Sequence, residues 1–273
     1  MYPRLFQTGP LLIPTYGVAA AMALICALLL AMRAARAMGL DPDAVWNLGL
    51  VAVCSAFIGS RFLLVVSNWR DFLRFPLLML SAAPLKSGGV LYGGLLFGVA
   101  AALFYARRKG LPLLRTLDAF APGLALGYAI VMLGCLAAGS SYGVPTAEPW
   151  GIEFHSKFAA IWSGAPLGVS LQPTQIYEAA SEFLLCALLL WLVRSRTRAE
   201  THRQDGEIFG AWLFLGGAAH FVIEFYRADP GRGSLFGGLI TLTQGVALIV
   251  IIEGGLLWLD RTNKRKPAAY ALQ

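Results

Sequence analysis

Apolar residues gather along this chain into seven long stretches separated by charged or turn-forming segments, at about 15–34, 47–67, 88–106, 117–138, 174–194, 207–226 and 235–258. A bilayer core about 30 Å thick is crossed by roughly 20 predominantly apolar residues in an α-helix, and every stretch meets that length. The expected fold is all-α and polytopic: a single transmembrane domain over 1–273 with about seven transmembrane helices.

Basic residues set the expected orientation. Segments 33–46, 107–116, 194–206 and 260–267 hold fourteen Lys and Arg, whereas 1–14, 68–87, 139–173 and 227–234 hold seven. The positive-inside rule puts the N-terminus outside and the C-terminus in the cytoplasm. Composition agrees: 58% of residues are hydrophobic and only 14% charged, with a mean hydropathy of +0.66, which leaves no room for a soluble domain. The net charge of +7 would suit nucleic acid. Its clusters, Arg107-Arg108-Lys109, Arg194/Arg196/Arg198 and Lys264-Arg265-Lys266, each follow a span and read instead as topology signals and anionic-lipid contacts.

Cys26, Cys54, Cys135 and Cys186 fall in or beside apolar stretches without metal-ligand spacing and read as packing residues. The first apolar run continues to Arg33 with no small-residue cleavage site, so the first span is expected to stay in the mature protein. Two external segments exceed simple turns: 68–87, with Trp69 and two prolines, and 139–173, with Trp150, Trp162 and four prolines. Such aromatic, amphipathic segments lie at headgroup level.

Ionisable groups inside spans are costly and therefore become candidates for function. Arg61 sits toward the outer end of the second span, where a guanidinium either holds a lipid phosphate by paired hydrogen bonds or snorkels to the headgroups. His220 and Glu224 are one helical turn apart, with Arg227 just beyond. A His beside a carboxylate suits general-base chemistry; equally, the two satisfy each other in lipid. Gln172-Pro173-Thr174-Gln175-Ile176-Tyr177-Glu178 opens the fifth span, with Glu178 and Glu182 one turn apart. These groups also serve capping and interhelical hydrogen bonding. Gly88 to Gly94 and Gly134 to Gly143 are glycine-rich; Gly93, Gly94 and Gly98 fit close helix packing, and exposed N–H groups near a helix start would bind phosphate. Gly139-Ser140-Ser141-Tyr142-Gly143 matches the hydrolase nucleophile elbow, yet a membrane helix precedes it where the elbow needs a strand.

Taken in order, these segments resemble the bacterial prolipoprotein diacylglyceryl transferases over nearly the whole chain. Gly9-Pro10 with Tyr16-Gly17 is similar to the start of the family's first helix, and Ile58-Gly59-Ser60-Arg61 to its Gly-Gly-Arg. Gly89 to Gly94 resembles the segment ending in His-Gly-Gly, Leu133-Gly134 through Tyr142-Gly143 the family signature, and Pro149-Trp150-Gly151 the stretch after it. Pro173 to Glu178 is close to His-Pro-x-Gln-Leu-Tyr-Glu, and Glu224-Phe225-Tyr226-Arg227-Ala228-Asp229 to Glu-Phe-x-Arg-x-Asp.

The resemblance implies a multi-pass enzyme of the bacterial cytoplasmic (inner) membrane. It would move the diacylglyceryl group of phosphatidylglycerol to the lipobox cysteine thiol that follows a prolipoprotein signal peptide, with no metal or organic cofactor. A base must produce the thiolate, and cations must steady the departing phosphate. Tyr92, His220 and Glu224 are the implied catalytic residues. Tyr16, Arg61, Gly93, Gly94, Gly134, Gly139, Gly143, Gln175, Tyr177, Glu178 and Arg227 are the implied substrate-binding ones, with Arg61, His220 and Arg227 toward the phosphate.

The departures fall on polar positions. Tyr92 stands for the family's His, Met132 for the signature Arg, Cys135 and Ala138 for its Asn residues, Ser140 for its Glu, Gly216 for a Tyr, His220 for an Arg and Gln172 for the His of the fifth-span motif. Two readings stay open: a transferase with a rearranged site, or a catalytically altered or inactive paralogue that binds lipid or lipoprotein or serves a different acceptor.

Overall fold

The computed structural model describes residues 4–8, 11–74, 88–197, 204–228 and 233–264, with the backbone path alone for 4–8, 11–13, Asp71, 88–92, Trp162, Thr197 and Phe236. In chain order the elements are β1 (Arg4–Thr8), β2 (Leu11–Pro14), α1 (Thr15–Ala37), α2 (Pro42–Ser67), α3 (Trp69–Arg74), α4 (Gly88–Arg108) and α5 (Leu113–Ala138). There follow β3 (Ile152–Glu153), α6 (Lys157–Ser163), β4 (Ser170–Leu171), α7 (Thr174–Thr197), α8 (Glu207–Ile223), β5 (Ser234–Leu235), β6 (Ile240–Thr241) and α9 (Leu242–Asn263). Among the described residues six helices, α1, α2, α5, α7, α8 with its extension to Tyr226, and α9, are long and apolar enough to cross a membrane. The protein is an all-α polytopic membrane protein. Gly9-Pro10, residues 75–87 of the first external segment, Asp229 and the basic residues Arg198, Arg265 and Lys266 lie outside the described residues, as does the side chain of Tyr92.

The chain divides into two compact units, one of Gly39–Thr116 and one of Met1–Met38 with Leu117–Gln273. In the smaller unit Asp41 caps α2 by accepting from the Asp43 N–H at 3.0 Å, and Pro42 takes the first helical position, where its missing N–H is no loss. α2 and α4 lie against each other with their glycines in register. A Cβ on Gly93 would stand 2.3 Å from the Gly59 carbonyl oxygen, and one on Gly59 2.6 Å from that of Gly93. Beside this contact the Phe62 and Phe97 rings pack at 5.5 Å. Phe57, Ile58, Leu95, Leu96 and Phe104 remain exposed, as suits side chains facing lipid.

In the larger unit α8 and α9 run antiparallel with two glycine contacts one turn apart: a Cβ on Gly210 would meet the Trp258 N–H, and one on Gly254 the Phe214 N–H. Val246, Ile249, Ile252, Leu256 and Leu259 form the exposed face of α9, opposite buried Gly254 and Gly255. At the basic ends of these helices Asp118, fully buried near the start of α5, accepts from the backbone N–H groups of Gly206 and Phe209 at 2.8 Å each and from Arg196 Nη1 at 2.9 Å. Arg196 also bonds Asp205. Gly206, at the N-terminus of α8, has no capping side chain of its own, so Asp118 supplies the cap from another helix.

Segment 139–173 is folded rather than extended. β3 pairs with β4, isolated bridges join Pro145 to Leu171 and Phe154 to Leu167, and Tyr142, Phe154, Ala165 and Leu171 form a small apolar core. The last span begins later than its apolar residues suggested. Residues 234–241 form a β5–β6 hairpin with Gly237 and Gly238 at φ +71° and +98°, which ends any helix there. Helix α9 then starts at Leu242 behind a capping box between Thr241 and Gln244.

Candidate functional site

The larger unit gathers three of the motifs singled out from the sequence. Gly143 N–H donates to the Gln172 carbonyl at 3.0 Å, Val144 N–H to the Tyr226 carbonyl at 2.8 Å, and Ala228 N–H to the Tyr142 carbonyl at 3.1 Å. Gly143 and Arg227 form a β-bridge. A Cβ on Gly143 would come within 2.5 Å of the Gln172 carbonyl oxygen and 2.7 Å of that of Tyr226, so only glycine lets the three strands of chain meet. Gly139 ends α5 at φ +76°, and Gly134 lies against Ala19 near the backbone of Tyr16, whose own ring is 45% exposed.

The start of α7 is tied to the same place. Gln175, fully buried, donates from Nε2 to the Ser140 carbonyl at 2.7 Å, and Thr174 Oγ1 donates to the Ser141 carbonyl at 2.7 Å. Ser140 and Ser141 thus serve through their carbonyls, and Ser141 adopts φ +59° in a turn after a helix. Beside it Trp150 Nε1 donates to Tyr177 Oη at 2.8 Å, Tyr177 Oη to Gln172 Oε1 at 2.6 Å, and Gln172 Nε2 to Thr146 Oγ1 at 3.0 Å.

His220 and Glu224 do not pair as their spacing suggested. The regular helix ends at Ile223, Glu224 opens a 3-10 turn, and its carboxylate turns away to α9. There Thr241 Oγ1 donates to it at 3.3 Å, Thr243 Oγ1 donates to the same oxygen, and Arg227 Nη1 is 3.5 Å from the other. His220 instead bonds through Nδ1 to Glu178 Oε1 on α7 at 2.6 Å, with Tyr128 Oη of α5 3.5 Å from the same nitrogen. Glu182, one turn along α7, accepts from Trp212 Nε1 at 3.4 Å. Tyr128 also packs on the apolar cluster of Met132, Cys135 and Ala179. Met132 and Cys135, the positions that the resemblance sets against an Arg and an Asn, are buried in that apolar cluster beside Tyr128.

Arg61, Gly93 and Gly94 belong to the smaller unit. The Arg61 guanidinium lies over the Phe57 ring at 5.5 Å, and with Phe57, Ile58, Phe62 and Val65 it lines a cavity of about 380 Å³. Gly93 and Gly94 are the sixth and seventh residues of α4, past the first four N–H groups that a helix leaves unbonded, and what they supply is the close approach to α2. Tyr92 lies on the same helix. Among the described residues no group of three or more His, Cys, Asp and Glu is arranged to hold a metal ion, and no cysteine is in a disulfide.

Tyr128 and Asp118 escaped the sequence reading. Asp118 carries a usable signal, a carboxylate inside an apolar run. Tyr128 carries none, because its partners lie on other helices.

The family model for prolipoprotein diacylglyceryl transferase matches residues 3–259. The phosphatidylglycerol–prolipoprotein diacylglyceryl transferase of Clostridium tetani is 30% identical over 267 residues, 97% of this chain and 100% of that protein. The enzyme of the same name from Synechococcus elongatus is 31% identical over 271 residues, 97% of this chain and 90% of that protein. A second transferase of that name from Clostridium perfringens is 30% identical over 252 residues, 92% and 91% of the two chains. With the family model covering nearly the whole chain and relatives at about 30% identity matched over most of their length, this chain belongs to the prolipoprotein diacylglyceryl transferase family.

Proposed function

We propose that this protein transfers the diacylglyceryl group of phosphatidylglycerol to the lipobox cysteine thiol of prolipoproteins, next to their signal peptides, at the outer face of a bacterial inner membrane. Seven crossings, with α4 as the seventh, a non-cytoplasmic N-terminus and a cytoplasmic C-terminus, go with that reading. The single observation that carries it is the knot of Gly143, Gln172 and Arg227, which joins motifs far apart in the chain at one end of α7 and α8. Under this reading Arg227 holds the phosphate in the larger unit, because a guanidinium matches a phosphate with paired donors, and Arg61 is the candidate for the same chemistry on the smaller unit. His220 works at the reacting centre, Glu224 orients Arg227 beside it, and Tyr92 is the catalytic candidate of the smaller unit. Tyr16, Gly134, Gly139, Gly143, Gln175, Tyr177 and Glu178 shape the lipid and peptide site, and Gly93 and Gly94 set the helix that carries Tyr92.

A second reading rests on the apolar cluster of Met132, Cys135 and Ala179. A site that has exchanged polar side chains for apolar ones there suits a paralogue that binds lipid or lipoprotein without transfer. Complementation separates the two: the protein is expressed in a bacterium whose own transferase can be shut off, while growth and lipidation of a reporter prolipoprotein are followed. Rescue that is lost in Arg61→Ala and Arg227→Ala establishes the transferase. Absence of rescue by a protein proven to be inserted overturns it in favour of the binding paralogue.

A further inference from the structure

We infer that His220 and Glu178 form the dyad that ionises the acceptor thiol, with His220 Nε2 as the base and Glu178 as the positioning residue. The inference rests on the transferase reading above and names the proton acceptor that the reaction requires.

Glu178 is 2% exposed and its Oε1 lies 2.6 Å from His220 Nδ1. An ionised carboxylate only accepts, so this bond puts the ring proton on Nδ1 and leaves the lone pair of the neutral ring on Nε2. Among the described residues Nε2 has no hydrogen-bond partner, and the His220 side chain is a quarter exposed. One ring nitrogen is therefore fixed by a buried carboxylate while the other is open to a reactant, which is the arrangement of an oriented general base.

The place suits the chemistry. Glu178 is four residues past the start of α7 and His220 three before the end of α8. At 1.5 Å per residue the dyad sits about one turn inside the outer ends of both helices, at the depth of a lipid's glycerol rather than the bilayer centre. The titratable and charged groups facing His220 are Tyr128 from α5, Glu178 and Glu182 from α7, and Glu224 with Arg227 beyond α8. Glu224 and Arg227 are paired with each other, and Glu182 with Trp212, so Glu178 alone bonds the ring as a carboxylate.

The balance of the step is simple. The thiol proton passes to Nε2. The sulfur electron pair forms a bond to the glycerol carbon that bears the phosphate, and that C–O bond breaks with its electrons on the phosphate oxygen. The proton on Nε2 then passes to the departing glycerol phosphate, which restores the neutral ring.

The test compares two lipobox peptides, one with cysteine and one with selenocysteine, using the purified full-length protein and phosphatidylglycerol vesicles. A selenol ionises without help at neutral pH, so it bypasses a thiol-specific base. His220→Gln is expected to lower transfer to the thiol by about 100-fold or more and to the selenol by less than about tenfold. Glu178→Gln is expected to move the ratio in the same direction, by less. Equal losses with both acceptors, the mark of a phosphate-holding or purely structural His220, overturn the inference, as does a thiol rate that His220→Gln leaves unchanged. Should the variants fail to fold, the wild-type protein decides. Its kcat/KM for the thiol is expected to level off well below the pKa of about 8.5 of a free thiol; a rise that continues up to that pKa overturns the base. A wild-type protein that transfers to neither acceptor overturns the transferase reading itself, a result distinct from each of these.

Discussion

Trp150 Nε1 donates to Tyr177 Oη at 2.8 Å, so an indole on the 139–173 segment is pinned to the start of a membrane helix. The same hydroxyl donates to Gln172 at 2.6 Å. Tyr177→Phe removes both bonds and keeps the ring. Net losses of about 1 kcal/mol are typical for such groups. Thermal unfolding in detergent is expected to show a destabilisation of that size, and adding Gln172→Ala is expected to cost about 1 kcal/mol more, because it also breaks the Gln172 to Thr146 bond.

Asp118→Ala removes the cap of α8 and leaves the guanidinium of Arg196 without its buried partner. Breaking a buried pair from one side costs about 3–5 kcal/mol, so this variant is expected to unfold well below the wild type. Asp118→Asn keeps an acceptor for one N–H and is expected to fall between the two on the same measurement.

Gly93→Ala places a methyl 2.3 Å from the Gly59 carbonyl oxygen, whereas Gly98→Ala meets the Ala56 methyl at 3.1 Å and the Ala52 carbonyl at 3.2 Å. Overpacking against backbone leaves no side chain to move aside. The first is expected to destabilise by about 3 kcal/mol and the second by under about 1 kcal/mol, read from thermal melts of the two purified variants.

Thr241→Ala breaks the capping box of α9 and one bond to Glu224 together. A loss of about 1–2 kcal/mol is expected, and Thr241→Ser is expected to recover most of it. A serine no better than alanine would show that the hydroxyl is not what matters.

Orientation is checked by labelling single cysteines in a background without the four native ones. Lys109→Cys is expected to react only from the cytoplasmic side and Glu148→Cys only from outside, with a membrane-impermeant reagent. The reverse pattern would invert the assignment of every loop.

The helices were legible because apolar length is a local property; α1 and α7 begin where their flanking residues said they would. The last span was misread for the same reason. Leu235, Phe236, Leu239 and Ile240 are apolar, but Gly237-Gly238 and the Thr241 to Gln244 spacing already marked a turn and a helix start. Polar partners were harder. Spacing on one helix pointed His220 to Glu224, while the bond formed runs to Glu178, 42 residues earlier. Which side chain meets which depends on how helices pack, and a single helix does not encode that.

The cap that Asp118 places on α8 has a consequence for biogenesis. Gly206 and Phe209 lie 88 and 91 residues after the carboxylate that satisfies them. When α8 leaves the ribosome its first N–H groups meet an acceptor inserted two membrane helices earlier, and Arg196 on α7 stands beside that acceptor. The start of α8 is therefore satisfied only where α5, α7 and α8 are packed together. A chain in which these helices were left unpacked would hold a buried carboxylate and a buried guanidinium with no counterpart, and quality control in the membrane would meet it before any substrate did.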